Sequence, residues 1–324
     1  MSKKRKVSGL SGVELSQAYN SLLQLRNAFA SEEVDDEDED EQMSKLEVFE
    51  QQMDTMLRLM ESKLNEPKVA LSSMTLGILE DQLKIFHVGD LQLKPNHAER
   101  IASSKLLGQD EHMSPQNMQR HLSMLSTLVP RTSEASARLW TDTLFFRAAA
   151  MVPPNKRMIL NIEYNMPSTA IYPTSSTSIG GKIGYTAIVA DKKAAPFIFS
   201  TPQILSMKRR FPTGFFVTEG KLGRLDDHLP QAFVEMYGCA KTMEKDILRG
   251  ALTNGHQWFF LILHLNPDGE GATYKQTLPF TILPSDNPAE PVGPDLIAGI
   301  LSSWIEHSFE GLRDDDDWFE DVVV

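Results

Sequence analysis

The sequence predicts an α/β fold, with a mixed sheet flanked by helices and preceded by a helical N-terminal region. Three observations carry that expectation. Up to about Met151, apolar residues recur at steps of three and four, the spacing of amphipathic helices. From Arg157 the period drops to two: in "RMILNIEYN", Met158, Leu160, Ile162 and Tyr164 alternate with Ile159, Asn161, Glu163 and Asn165. A helix-spaced segment then stands between two strand-like stretches, which lets the chain cross over a sheet and return. With 324 residues and 41% hydrophobic content, there is enough apolar side chain for one large domain or two modest ones.

Taken in order, Val13 to Ala30 reads as a helix through Leu15, Tyr19, Leu22 and Leu23. Glu32–Glu41 holds nine acids and should be disordered, because its charges repel and it offers nothing to bury. Ser44 to Leu64 carries Leu46, Phe49, Met53, Met56, Met60 and Leu64 at steps of three and four. That is the seam of a helix pair, or a groove for a protein partner on the Leu46–Leu64 helix. "LKIFHVG" and "LQLKP" are strand-like within a mixed stretch, 74–110. Ser114-Pro115 is an N-cap followed by proline in the first turn, opening a helix through Met118, Leu122 and Leu125. Pro130 stops it. A second helix begins near Ser133, carries Leu139, Trp140, Leu144 and Phe145, and ends at about Met151. Strands follow at 157–165, at "KIGYTAIVA" (Lys182–Ala190) and at "FFVTEGKL" (Phe215–Leu222).

A helix from about Leu229 to Met243 has Pro230 in its first turn and leads to strands "WFFLILHL" (Trp258–Leu265) and "LPFTIL". "PSDNPAEPVGP" is a loop. A last amphipathic helix uses Ile297, Ile300, Leu301, Trp304 and Phe309. These elements divide the chain into a tail with a basic cluster, short helix and acidic run (1–43), a mainly helical region (44–130), an α/β core (131–284), and a C-terminal helix with an acidic tail (285–324).

The formal charge is −12, but the nine acids of Glu32–Glu41 and six within Asp314–Asp321 exceed that excess. The rest of the chain is close to neutral, so the overall charge says little about what the folded part binds. The acidic tails read as disordered and solubilising. A second reading has them fold over a basic groove as phosphate mimics. "KKRKV", Lys3–Val7, reads as a nuclear import signal and predicts a nuclear location with an import receptor as partner. Without it the chain would be cytoplasmic. The single cysteine, Cys239, excludes an intrachain disulfide and a cysteine-rich zinc site, and fits a reducing compartment. Its helical neighbours Met236 and Ala240 give it a packing role. No run of about 18 apolar residues predicts a transmembrane helix, and the N-terminus lacks the apolar core of a secretory signal.

Glu219 and Lys221 stand two apart at the end of the third core strand, and so on one face. A carboxylate there can hold a hard cation such as Mg²⁺, and a neighbouring ammonium can orient water and stabilise charge at a scissile phosphate. The pair alone also suits a solvated strand edge. On the next helix Gln231 and Glu235 lie four apart and share a face. His228, His256 and His264 have no metal-ligand spacing and read as surface or packed histidines. "KRRF" (Lys208–Phe211) is a basic loop suited to phosphate backbone or to solvent.

The ordered set resembles the PD-(D/E)XK superfamily, with its restriction-endonuclease-like fold. It is most similar to fungal members that read Gly-x-x-Asp-Tyr, then Glu-x-Lys, then a Gln-containing helix. Here those stretches are "GKIGYTAIV", "TEGKL" and "QAFVEMY", and the resemblance spans about residues 133 to 284. It implies a metal-dependent nuclease acting on nucleic acid, DNA first, with Mg²⁺ or Mn²⁺ as cofactor. Carried over by position, Glu219 is a metal ligand, Lys221 the catalytic lysine, Gln231 the supporting helix residue and Glu134 a helix acid. Where the family places its first metal-binding Asp, this chain has Gly184. Asp191 lies an odd seven residues on and faces the wrong way; Glu163, on the preceding strand, is the better second metal ligand. The loss at Gly184 leaves two further readings open. One is a non-catalytic nuclear module on the same fold that binds nucleic acid or protein. The other is an α/β interaction module unrelated to nucleases.

Overall fold

The computed structural model describes residues 18–22, 24, 53, 55–57, 68–130, 132–170, 178–200, 214–221, 224–282, 293–313 and 317–322. They fall into two units, 1–69 with 167–180, and 70–166 with 181–324. In the first, residues 18–22 and 24 are helical, as are 53 and 55–57. Met53 and Leu57 are buried there while Met56 is exposed, so the stripe runs through Leu57 rather than Met56. Lys3–Val7, Glu32–Glu41, most of the Leu46–Leu64 stripe and Lys208–Phe211 lie outside the described residues.

Along the chain the elements are β1 (Lys68–Ala70), β2 (Ile85–Leu93), α1 (His97–Leu106), α2 (Pro115–Leu128), α3 (Glu134–Ala150), β3 (Lys156–Ala170), β4 (Ser178–Asp191), α4 (Ala195–Ser200), β5 (Gly214–Gly220), α5 (Leu229–Met243), β6 (Ile247–Thr253), β7 (Gln257–Leu265), β8 (Ala272–Thr277), β9 (Phe280–Thr281), α6 (Pro294–Glu306) and β10 (Phe319–Asp321). The second unit is a mixed α/β structure whose sheet runs β4-β5-β6-β7-β8-β2-β10, with β3 beside β4 and β9 beside β7. β5 runs parallel to β6, and β8 to β2; the β4–β5, β6–β7, β7–β8 and β2–β10 pairs are antiparallel.

Local chemistry sets the helix ends. Ser114 Oγ accepts from Asn117 N with Pro115 in the first turn, as its sequence predicts. Ser133 and Ser136 form a reciprocal capping box that opens α3. α5 starts with Pro230 and stops where Glu244 turns left-handed.

Helices cover the sheet on both faces. On one, α1, α2, α3 and α6 share a core with Tyr185, Ala187 and Val189 of β4, Phe216 of β5, Ala251 of β6, and Trp258, Phe260 and Ile262 of β7. On the other lies α5, whose Phe233 stacks on Tyr274 of β8 at 3.7 Å. At Gly238 a Cβ would come within 2.5 Å of Met166 Sδ, so glycine there lets α5 settle close to β3. Burial on both faces explains why "WFFLIL" is continuously apolar rather than alternating. Each of Phe259, Leu261 and Leu263 contributes roughly 1.5–3 kcal/mol by leaving water.

Two sequence expectations need correction. α5 does not return directly to Trp258–Leu265; it returns first to β6, "ILRGALT", which a Gly and an Arg disguise in the sequence. β2, from the stretch before residue 131, sits inside the same sheet between β8 and β10. The acidic C-terminal tail is not disordered at 317–321. Asp317, Trp318 and Phe319 are buried, and Phe319 pairs with Leu93 as β10 closes the sheet edge.

The physical reason for the last point is one buried ion pair. Arg249 Nη2 donates to Asp317 Oδ2 at 2.6 Å, and each side chain is 1% exposed. Arg249 also donates to the carbonyls of Glu310 and Gly311, and lies over the Trp304 ring at 4.9 Å. Trp304 Nε1 and the Trp318 amide donate to Asp317 Oδ1. Every charge in this group is hydrogen-bonded, the condition under which burial is tolerated. Asp317→Ala should cost about 3–5 kcal/mol in denaturant unfolding, because it strands Arg249. The double variant Arg249→Met with Asp317→Leu should regain most of that loss.

Candidate functional site

β5 and β6 are parallel strands joined through α5, so their carboxyl ends lie at one end of the sheet, the usual place for a ligand in an open α/β sheet. Lys221 follows the last residue of β5. Its amide donates to the Thr253 carbonyl at 2.8 Å, and the residue is half-buried. The backbone of Glu219 pairs with Leu252; its side chain lies outside the described residues. β4 begins at this same end, and its pairing with β5 is described down to Tyr185 opposite Thr218. One step further in that register sets Gly184 opposite Glu219.

The turn from β6 to β7 completes this end. Asn254 Oδ1 accepts from the amides of His256 and Gln257, and Thr253 Oγ1 accepts from Gly255 N. Gly255 has φ +84°, and a Cβ there would lie 2.6 Å from the Ala137 carbonyl of α3. The His256 ring packs on Trp140 at 4.3 Å. His228 stands at the N-cap of α5, and burial pushes His264 on β7 below the ordinary histidine range.

β3 meets β4 through Asn155 O to Lys192 N, Asn161 Nδ2 to Thr186 Oγ1 and Lys182 Nζ to Glu163 Oε2. Residue numbers rise on one strand as they fall on the other, so the pair is antiparallel. A change of face occurs within β3. Met158 and Leu160 pack against the core under α3, whereas Met166, also even-numbered, meets Gly238 of α5. Strict alternation would keep them on one side. The break is at Glu163, which has φ +54°. That conformation costs roughly 1–3 kcal/mol for a residue with a Cβ, and it re-aims the carboxylate as a bulge does.

The carboxylate points to α3. Glu163 Oε1 accepts from Arg138 Nη1 at 2.8 Å, and Oε2 from Lys182 Nζ at 3.1 Å. Arg138 first, then Lys182, hold its carboxyl below the ordinary carboxylate range. Glu134 takes the other Arg138 nitrogen at 3.0 Å. Further along α3, burial raises the Asp142 carboxyl against the partial opposition of a Tyr185 hydrogen bond, and the Tyr185 hydroxyl is itself raised by burial.

On the opposite side of the sheet, Gln231 Nε2 donates to Glu235 Oε1 at 2.8 Å, and both are buried in α5. Cys239, one turn beyond Glu235, is buried; burial first and that carboxylate second push its thiol well up. Of the residues singled out in the sequence, Glu163 and Glu134 therefore converge on Arg138 toward α3. Gln231 belongs to α5, and Lys221 to the sheet end itself. Arg138 and Lys182 carried no sequence signal; a period-four Glu134–Arg138–Asp142 stripe on α3 could have found the first. Asp191 ends β4 seven residues from Gly184.

Among the described residues, no group of three or more His, Cys, Asp or Glu side chains is placed to hold a metal ion. No described helix is long and apolar enough to cross a membrane. A cavity of about 850 Å³ opens elsewhere, lined by Arg100, Ser104, Leu107, Met151, Lys192 and Trp318 among others; Glu163, Lys221 and Gln231 take no part in it. No protein-family model matches the chain, and no curated protein matches it. Native protein should leave Cys239 unreactive toward a thiol reagent near neutral pH, with stoichiometric labelling only after denaturant unfolding; rapid labelling of the folded protein would contradict this burial.

Proposed function

We propose that residues 133 to 284 form a restriction-endonuclease-like core that acts on nucleic acid, and that it binds the phosphodiester backbone without cutting it. The observation that carries this reading is an order of elements together with a position. α3, β3, β4, β5, α5 and β6 occur in that order, with the short α4 between β4 and β5; β3-β4-β5-β6 are adjacent in the sheet and β5 is parallel to β6 through α5. At the end of the middle strands, the Glu219-x-Lys221 sequence comes opposite Gly184, the position where the resembling nucleases carry an Asp.

A metal-dependent reaction needs carboxylates that converge on one cation. Position 184 offers no side-chain ligand, and Glu163 is paired with Arg138 and Lys182. Mg²⁺ or Mn²⁺ held by two protein carboxylates would need a second side-chain ligand beside Glu219, which neither Gly184 nor the paired Glu163 supplies. Three cationic side chains bear on this reading: Lys221 at the sheet end, and Arg138 and Lys182, both paired with carboxylates. Such groups recognise phosphate by charge and hydrogen bonding, and the binding weakens steeply with salt. Nuclear import through Lys3–Val7 belongs to the same reading, with DNA as the first ligand to test. A partner protein on the Leu46–Leu64 helix is compatible with it.

Cleavage of single- and double-stranded DNA and RNA, with Mg²⁺ or Mn²⁺, should be compared for the native chain, Lys221→Ala and Gly184→Asp. The expected outcome is binding without cleavage by the native chain, and binding weakened severalfold by Lys221→Ala. Cleavage by the native chain that is lost in Lys221→Ala would replace the binding reading with an active nuclease. Absence of any nucleic-acid binding would remove both.

A further inference from the structure

We propose that Arg138 and Lys182 form a subsite for one backbone phosphate of a nucleic acid, and that Glu163 keeps this subsite closed by occupying it. The inference rests on the nucleic-acid reading above. Two cations from separate elements, α3 and β4, converge on the two oxygens of one carboxylate, at 2.8 and 3.1 Å. A guanidinium fork beside an ammonium is a donor set that suits the paired oxygens of a phosphodiester equally well. The group is open to an incoming ligand: the side chains of Arg138, Lys182 and Glu163 are 28%, 65% and 45% exposed. It is also held on its far side, because Glu134 takes Arg138 Nη2 and leaves Nη1 to Glu163.

The backbone marks Glu163 as more than a surface ion pair. Lys84 and Glu244 share its φ of +54°, but Lys84 sits in the turn before β2 and Glu244 closes α5. Among the described non-glycine residues, Glu163 is the one left-handed residue inside a strand. That conformation turns its carboxylate from the α5 side of the sheet to the α3 side, into the two cations. An ordinary exposed pair gains little, so the pair alone is a weak reason for a strained strand. A built-in anion that must be displaced before phosphate enters gives a reason, and like charge makes the two occupants exclusive.

The test is fluorescence anisotropy of labelled single- and double-stranded DNA at several salt concentrations. Glu163→Gln should bind about tenfold more tightly at low salt, with a salt slope steeper by about one phosphate contact, roughly 0.7–0.9. Adding Lys182→Ala to Glu163→Gln should reverse both changes. Glu163→Asn keeps a side chain that tolerates left-handed backbone and should behave as Glu163→Gln does, which guards against misfolding of one variant. If the native chain binds and both Glu163 variants keep its affinity and slope, the closed subsite is wrong while the nucleic-acid reading stands. If neither the native chain nor any variant binds, the nucleic-acid reading fails and takes the subsite with it.

Discussion

The Arg249–Asp317 ion pair ties the chain after α6 to the middle of the second unit's sheet, across 68 residues of sequence. Arg249 projects from β6 into the core under α6. Asp317 begins the segment whose Phe319 lies along β2 at the sheet edge. Neither charge could be buried alone, because desolvation would exceed any gain from packing. Together, with two carbonyls, an indole N–H and an amide completing their hydrogen bonds, they fix the chain after α6 against the sheet. Phe319 then joins Phe260 and Trp304 in one aromatic group, with ring centroids 5.1 to 5.6 Å apart. The sheet edge at β2 is closed by the same contact.

That frame decides how polar groups at the other end of the sheet can be used. A sheet covered on both faces separates what lies above from what lies below. The Gln231–Glu235 pair belongs to α5 on one side. Glu134, Arg138 and Glu163 belong to α3 on the other. Only the ends of the central strands, at Lys221 and Gly184, are common to both. The left-handed residue at 163 assigns its carboxylate to the α3 side, where it meets two cations. The electrostatic result on the α3 side is a closed group in which Glu163 and Glu134 offset Arg138 and Lys182.

Much of this was legible in the sequence. The capping serine and proline at 114–115, the start of α3 beside Ser133, the span Leu229–Met243, and the alternation of Lys182–Ala190 each follow from local rules that need no tertiary contact. β6 was hidden because Arg249 and Gly250 lower its apolar signal; only a distant acid makes that arginine fit a core. The last residues looked like a solvated acidic run because Asp317 was counted with its neighbours, while Trp318 and Phe319 carried the opposite message. At the candidate site, the Glu219-x-Lys221 spacing and the glycine at 184 could be read directly. The fate of Glu163 could not, since period-two reasoning assumes an unbroken strand and the residue sits where the alternation reverses.

The sequence by itself determined the local periods, the helix boundaries set by caps and prolines, the mixed α/β class, and the absence of a side-chain ligand at position 184. These depend on side chains a few residues apart. Tertiary structure decided which strands became neighbours, that the C-terminal acid would be buried, and which side of the sheet Glu163 would serve. Those outcomes turn on partners 19 to 68 residues away: Arg249 for Asp317, and Arg138 and Lys182 for Glu163. A buried or redirected charge takes its place only when such a partner arrives, and no local pattern announces one.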